Sequence, residues 1–333
     1  MPQRSQTTRI SVSADSPLDL LAVSLTIVLC AIWGGAFVAI KVGTMDMPPL
    51  GAGALRFLLT SLVLTGWAYY RRVPLRFGRT EAMLLLILGV LFFYTNVAAY
   101  VGTSRTTSGR AAVFFYAQPI FLALLAPYFL PGDRLTLRKL SGLGLAFGGV
   151  IVLFLAKLGG GITPTLIGDA IVLSGAVATA VSGVMTKRVA GRIHPVALIC
   201  WQSWMSWPLL GLSSWMWEAD AVFVFSGRAV VSILYLGIVS AAFGFVAYAW
   251  LIQRNSATRV AALTFLSPVF AVLYGWLLLG EYMGASQLAG VAGVCLGVYI
   301  VNSGRMPYPQ TAADDQERGV PTAGGEVRVS GAR

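Results

Sequence analysis

Charge is scarce in this sequence, and negative charge is scarcest. Of 333 residues, 24 are Lys or Arg, 13 are Asp or Glu and one is His. Charged residues make up 11% of the chain, against about 25% in a soluble domain. Hydrophobic residues make up 57%. A soluble fold of this length has nowhere to hide so much apolar surface, so the surrounding solvent is lipid. The single histidine, His194, excludes a histidine-rich metal site. Neither a His-Glu zinc spacing nor a Gly-x-x-x-x-Gly-Lys phosphate loop occurs. The three cysteines, Cys30, Cys200 and Cys295, all fall in apolar runs. They read as small apolar filler and supply neither a disulfide framework nor a metal spacing. No polar catalytic cluster interrupts the apolar runs, so no enzyme, cofactor or metal is expected. The net charge of +11 would suggest nucleic acid in a soluble protein. Here the charges sit between apolar runs, and a membrane surface explains them better.

Ten runs approach the length of about 20 residues that a helix needs to cross a bilayer. They are Leu20–Ile40, Leu50–Tyr70, Ala82–Val101, Ala111–Leu130, Leu140–Ala156, Ala170–Thr186, Pro195–Trp217, Ala229–Gln253, Val260–Gly280 and Tyr282–Ser303. They are continuously apolar and show no strand alternation, so helices are expected. Only Arg56 brings a charge into them. In the connecting segments and tails, eighteen Lys and Arg fall on the N-terminal side. Five fall on the other: Lys41, Arg105, Arg110, Lys157 and Arg228. That bias predicts that both termini are cytoplasmic. The first run is longer than a signal peptide's core and lacks a small-residue cleavage site. Residues 1–17 and 304–333 read as disordered cytoplasmic tails.

The chain repeats itself. "YAQPIFLALLAPYFLPGD" and "FLSPVFAVLYGWLLLGE" are one phrase written twice, with Pro119 and Pro268 149 positions apart. Arg105 and Arg254, Arg110 and Arg259, and Phe121 and Phe270 match at the same offset. Lys41 matches Lys187 and Pro49 matches Pro195 at 146; Gly142 matches Gly290 and Gly149 matches Gly297 at 148. Residues 18–157 and 165–303 thus form two five-helix units. Five is odd, so the second unit enters the membrane from the opposite side. Such an inverted repeat marks a secondary transporter working by alternating access.

Each proline lacks the N–H that would bond the carbonyl four residues earlier. The carbonyls of Phe115 and Thr264 are therefore expected to be free near mid-membrane. Packing kinks are the plainer reading. Paired breaks in the two halves point instead to a central site.

A ten-helix inverted duplication with these prolines and a following Gly-Asp or Gly-Glu resembles the drug/metabolite transporter superfamily, in its EamA-type members. "IWGGAFVAIK" in the first run and "LRFLLT" in the second are similar to that family's opening. Within it the chain most resembles the bacterial aromatic amino acid exporters. The resemblance implies export of amino acids and similar metabolites. It departs where Pro131 is inserted and Gly-Asp stands for Gly-Glu, which puts any role of Asp133 in question.

Candidate contacts to cargo follow from polar and aromatic residues inside the runs. Arg56 lies seven residues into its run and either pairs with Asp46 or recognises a carboxylate. Its repeat partner, Gln202, is uncharged. Asn96 and Tyr100 share a helix face. Tyr116 and Gln118 flank the first break and Thr264 the second. Trp201, Trp204 and Tyr248 add aromatic faces, and Ser240, Gly244 and Tyr248 recur every four residues. Helix packing explains each one singly. Together they suit an amphipathic small molecule. Its apolar part would lie on Trp201, Trp204, Tyr100 and Tyr116, and its polar ends on Asn96, Gln118 and Gln202. Gly144/Gly148 and Gly293/Gly297 are spaced for close helix packing. No acid stands at mid-membrane, so facilitated transport or exchange is expected over an obligate proton pump. A proton-coupled exporter of other metabolites or drugs is the alternative within transport. A non-transporting sensor or lipid-handling protein is the alternative outside it. A monomer is expected, with an oligomer left open.

Overall fold

In a computed structural model, residues 18–103, 105, 108–130, 133, 135–154, 166–279 and 284–303 are described. Both expected tails, and Gly132, Gly280 and Glu281 of the repeated phrase, lie outside them. The described residues are helical with short connections and contain no strand. The first unit holds α1 (Leu20–Gly43), α2 (Pro49–Tyr70), α3 (Arg79–Thr103), α4 (Ser108–Phe115), α5 (Gln118–Phe129) and α6 (Leu137–Phe154). The second holds α7 (Leu166–Arg188), α8 (Pro195–Trp217), α9 (Gly227–Leu234), a π-helical segment (Tyr235–Phe243), α10 (Gly244–Arg254), α11 (Ala257–Leu263), α12 (Leu266–Leu279) and α13 (Ala285–Asn302). Pairing α4 with α5, α11 with α12, and α9 with the π segment and α10 gives ten spans.

Nine of these stretches have both the length and the apolarity to cross a bilayer. The tenth, α8, has the length at 23 residues but carries Gln202, four serines and five tryptophans. Pro49 and Pro195, matched in sequence, each open a helix. There the missing N–H has no partner to lose. Exposed aromatic residues mark the ends: Tyr69, Tyr70 and Tyr128 at one, Trp215 and Trp217 at the other. That is the belt expected where a helix bundle meets the headgroup layer.

The packing repeats as the sequence does. The second span packs on the seventh and the fifth on the tenth, which are repeat mates. The third packs on the sixth and, equivalently, the first on the eighth. The fourth packs on the sixth and the first on the ninth. Exchanging the two halves leaves this pattern unchanged. The chain is an all-α integral membrane protein of ten transmembrane helices in two inverted five-helix repeats.

Two expectations change. Gly144 and Gly148 face open space, whereas Gly142 and Gly149 meet Gly297 and Gly290 backbone to backbone. A Cβ on Gly142 would lie 2.8 Å from the Gly297 carbonyl oxygen, and one on Gly149 2.8 Å from that of Gly290. Seven residues bring a helix back to one face, and that spacing governs the α6–α13 contact. The helices also begin earlier than the apolar runs suggest. Lys139, Asp169 and Arg259 are consequently buried inside helices, so Arg56 is not the lone buried charge.

Candidate functional site

The breaks fall just ahead of the prolines. Tyr116 and Ala117 separate α4 from α5, and Thr264 and Phe265 separate α11 from α12. Pro119 then opens α5, where its ring is tolerated. No backbone N–H among the described residues reaches the Phe115 carbonyl. The Thr264 carbonyl differs from expectation: the Ser267 N–H bonds it at 2.9 Å, closing a tight turn. Thr264 Oγ1 also turns inward, donating to Ala261 O at 2.7 Å.

The second break lies against α1. Cys30 Sγ reaches the Leu263 carbonyl at 3.3 Å, where α11 ends. Tyr116, buried at the first break, shares a cluster with that Leu263 and with Phe265, so the two breaks meet beside Cys30. One turn on, Trp33 meets Tyr248 edge-on with ring centroids 5.3 Å apart, and Phe245 at 5.9 Å. Trp33 Nε1 donates to the Ser240 carbonyl at 3.2 Å. Spans one and eight thus share an aromatic centre, which Phe92 and Phe57 extend to spans three and two.

The π segment shapes the other half of the site. Single-turn π insertions are frequent at functional sites, and this one runs nine residues. Its carbonyls take side-chain donors from outside. Thr60 Oγ1 bonds Gly237 O at 2.9 Å, and Trp33 bonds Ser240 O. A Cβ on Gly237 would stand 3.1 Å from the Arg56 carbonyl oxygen, so α2 presses directly on it.

Arg56 is thereby enclosed, with 7% of its surface exposed. Its guanidinium carbon sits 5.1 Å from the Phe57 ring centre and 5.6 Å from that of Phe245. Nη2 reaches Ser240 Oγ at 3.4 Å, and Nε has no acceptor. With Tyr100, Thr44, Met47 and Ser232 it lines a narrow cavity between α1, α2, α3 and α9. Asp46 does not pair with Arg56. It binds Arg228 instead, Nη2 to Oδ1 at 2.6 Å and Nε to Oδ2 at 2.6 Å, and Ser226 adds a third bond. Arg228 and then Ser226 hold the Asp46 carboxyl down at about 2.

The remaining expected site residues scatter. Asn96 Nδ2 bonds its own helix at Phe92 O, 2.8 Å away. Gln118 is half-buried beside Pro119. Gln202 is buried and ties α8 to α3 through Leu88 O at 3.4 Å. Trp201 and Trp204 are 40% and 37% exposed and face outward from α8. Their Nε1 atoms bond Leu75 O at 3.0 Å and Thr65 Oγ1 at 2.9 Å. They brace α8 against α2 and its following loop and are not gathered with Tyr116 and Tyr248. Trp33 escaped sequence reasoning, although it stands in the "IWGGAFVAIK" stretch.

At the end carrying most Lys and Arg, Asp133 forms a buried ion pair with Lys139 at 3.1 Å. It also accepts from Ser256 Oγ at 3.1 Å and from the Thr258 N–H at 3.0 Å, tying the start of α11. Lys187 Nζ caps the preceding helix through Gln253 O and Asn255 O at 3.0 and 2.6 Å. The change from Gly-Glu to Gly-Asp therefore leaves an acid with definite partners. His194 caps α8, its Nδ1 accepting the Val196 N–H at 3.3 Å. Burial, and then nearby Arg254, push its pKa below the ordinary value.

Inverted five-helix repeats with broken spans around an enclosed polar and aromatic centre define a membrane transporter. The chain belongs to the EamA-like transporter family, whose model matches residues 20–155 and again 166–303, one match for each repeat. It is 30% identical over 288 residues to a probable amino-acid metabolite efflux pump of Salmonella typhimurium, covering 83% of this chain and 93% of that one. The Escherichia coli protein of the same description is 27% identical, with the same coverage. The uncharacterized transporter YoaV of Bacillus subtilis is 26% identical, covering 85% of this chain and 95% of its own. A solved crystal structure superposes with a TM-score of 0.76 at 20% identity, covering 85% of this chain and 96% of the other.

Proposed function

We propose that the chain exports neutral amino acids with apolar or aromatic side chains, and metabolites of like shape, across the bacterial inner membrane. In this reading both termini are cytoplasmic, which the Lys and Arg bias supports. The two repeats alternate in opening to either side, with the cargo held between them. The observation that carries this reading is the meeting of the two helix breaks, where Tyr116 shares a buried cluster with Leu263 and Phe265 and Cys30 of α1 touches the Leu263 carbonyl. Beside them Tyr116, Tyr248 and Trp33 supply ring faces, and Gln118 and the Phe115 carbonyl supply polar contacts, with Thr264 committed to its own turn. Such a mixture fits an apolar side chain with a zwitterionic head. The amino-acid metabolite efflux pumps among its relatives support the same cargo class. Asn96, Tyr100 and Gln202 stand in the surrounding shell. Trp201 and Trp204 act as outer braces.

The test is efflux of labelled phenylalanine, methionine, threonine and lysine from vesicles loaded with each. Phenylalanine and methionine are expected to leave fastest and lysine slowest. Preferential lysine efflux, or none of the four moving, overturns the proposed cargo.

A further inference from the structure

We propose that Arg56 is the anchor for a carboxylate of the cargo, bound in the cavity it shares with Tyr100. The inference rests on the reading above for the cargo's wider identity, but its chemistry is separable.

A guanidinium has five N–H donors and no acceptor. At Arg56 the protein partners among the described residues are two hydroxyls, Ser240 Oγ at a long 3.4 Å and that of Tyr100, and Nε has none. No Asp or Glu among the described residues pairs with it. Asp46 is held by Arg228 and Ser226. Glu218 is held by the first N–H groups of α2, Leu50 N at 3.0 Å and Gly51 N at 3.1 Å, and by Ser214. A cation buried without a counter-charge is costly, and one kept inside a membrane protein marks a functional site by default.

The surroundings orient this charge. Phe57 and Phe245 stand against the guanidinium and attract it through their rings. Contact on two sides restricts its rotation beside the cavity that Arg56 and Tyr100 both line, which at about 10 Å³ holds one water and must widen to admit a carboxylate. A planar fork of this kind matches a carboxylate with two parallel bonds. The occupant therefore carries a carboxylate. Arg56 and Tyr100 belong to the first repeat, and Ser240 and Phe245 to the second. A carboxylate bound here is held across the boundary that must shift during transport.

The experiment uses purified full-length protein in proteoliposomes, with two readouts: competition against labelled phenylalanine in counterflow, and ligand-induced shift in melting temperature. The competitors are phenylalanine, 3-phenylpropionate without the amine, and phenethylamine without the carboxylate. In the wild type, 3-phenylpropionate is expected to compete and stabilise. Phenethylamine should need about 10- to 100-fold higher concentration, the span of a lost charged hydrogen bond. Arg56→Gln should erase that difference, and Arg56→Lys should restore part of it. If Arg56→Gln does not fold, the wild-type series alone decides. Phenethylamine matching phenylalanine in the wild type overturns the anchor while leaving amino acid export standing. Stabilisation by 3-phenylpropionate without phenylalanine movement, abolished in Arg56→Gln, sinks the amino acid cargo and keeps the anchor. No response to either carboxylate overturns the anchor.

Discussion

Asp46 and Arg228 form a two-pronged ion pair, both bonds 2.6 Å long, that joins the α1–α2 loop to the start of α9. It links the first repeat to the second above the cavity that Arg56 lines. It also occupies the acid that sequence proximity would assign to Arg56. The pair is a latch at the end opposite the basic connections. Asp46→Asn should loosen it and increase several-fold the labelling of a Thr44→Cys variant by an impermeant thiol reagent. The pH dependence has a definite sign. The Asp46 carboxyl falls from 3.8 to about 2 in the folded protein. Its contribution is complete above about 4 and is lost as pH falls through about 2. Labelling of Thr44→Cys should therefore be flat from pH 5 to 8 when Asp46 is intact. A latch that loosens within that range has another cause.

The two prolines should not be equivalent. Pro119→Ala supplies an N–H to the Phe115 carbonyl, which has no backbone donor, and straightens the fourth span. The Thr264 carbonyl already has Ser267, so Pro268→Ala has less to restore. Transport should fall more in Pro119→Ala, with both proteins inserted and folded. Equal wild-type rates in both would reduce the breaks to packing.

Aromatic substitutions should divide by location. Tyr248→Ala and Tyr116→Ala should weaken large substrates more than small ones, since lost ring contact scales at about 25 cal/mol per Å². Trp201→Ala and Trp204→Ala should lower thermal stability and leave the ratio of phenylalanine to threonine efflux unchanged. A changed ratio in the tryptophan variants would return them to the pocket.

Asp133 and Lys139 are both nearly inaccessible. Asp133→Asn removes the acid from this buried ion pair and should destabilise by about 3–5 kcal/mol. Adding Lys139→Met should recover part of that. Unfolding in detergent measures both.

The glycines offer a matched pair. A Cβ on Gly297 would fall 2.5 Å from Gly142 O and 2.7 Å from Ala146 Cα. Gly297→Ala should cost about 1–3 kcal/mol by forcing α6 and α13 apart. Gly144→Ala meets open space and should be silent.

The ten spans, their inverted duplication and the region of the two breaks were legible because length, apolarity and repeated prolines are written in one dimension. The inward face of each helix was not. In lipid both faces are apolar, so no amphipathic stripe separates Trp33, which points inward, from Trp201, which points out. Spacing of four and of seven both suit a helix, and only contact with α13 selects Gly142 and Gly149. The π segment left no trace either. Ser240, Gly244 and Tyr248 read as an α-helical stripe, although the first belongs to the π helix. Arg259 passed for a loop residue because charge was used to mark helix ends, whereas α11 begins two residues before it.

Alternation of the two repeats is tested most directly at Gly43 and Ser232. A Cβ on Gly43 would lie 3.0 Å from that of Ser232, close to the spacing of about 3.5–4.5 Å that a disulfide bridges. In a background without the three native cysteines, Gly43→Cys with Ser232→Cys should cross-link α1 to α9 on oxidation. Counterflow of labelled phenylalanine should stop in the oxidised protein and return on reduction. Undiminished counterflow through fully cross-linked protein would contradict alternation of the repeats.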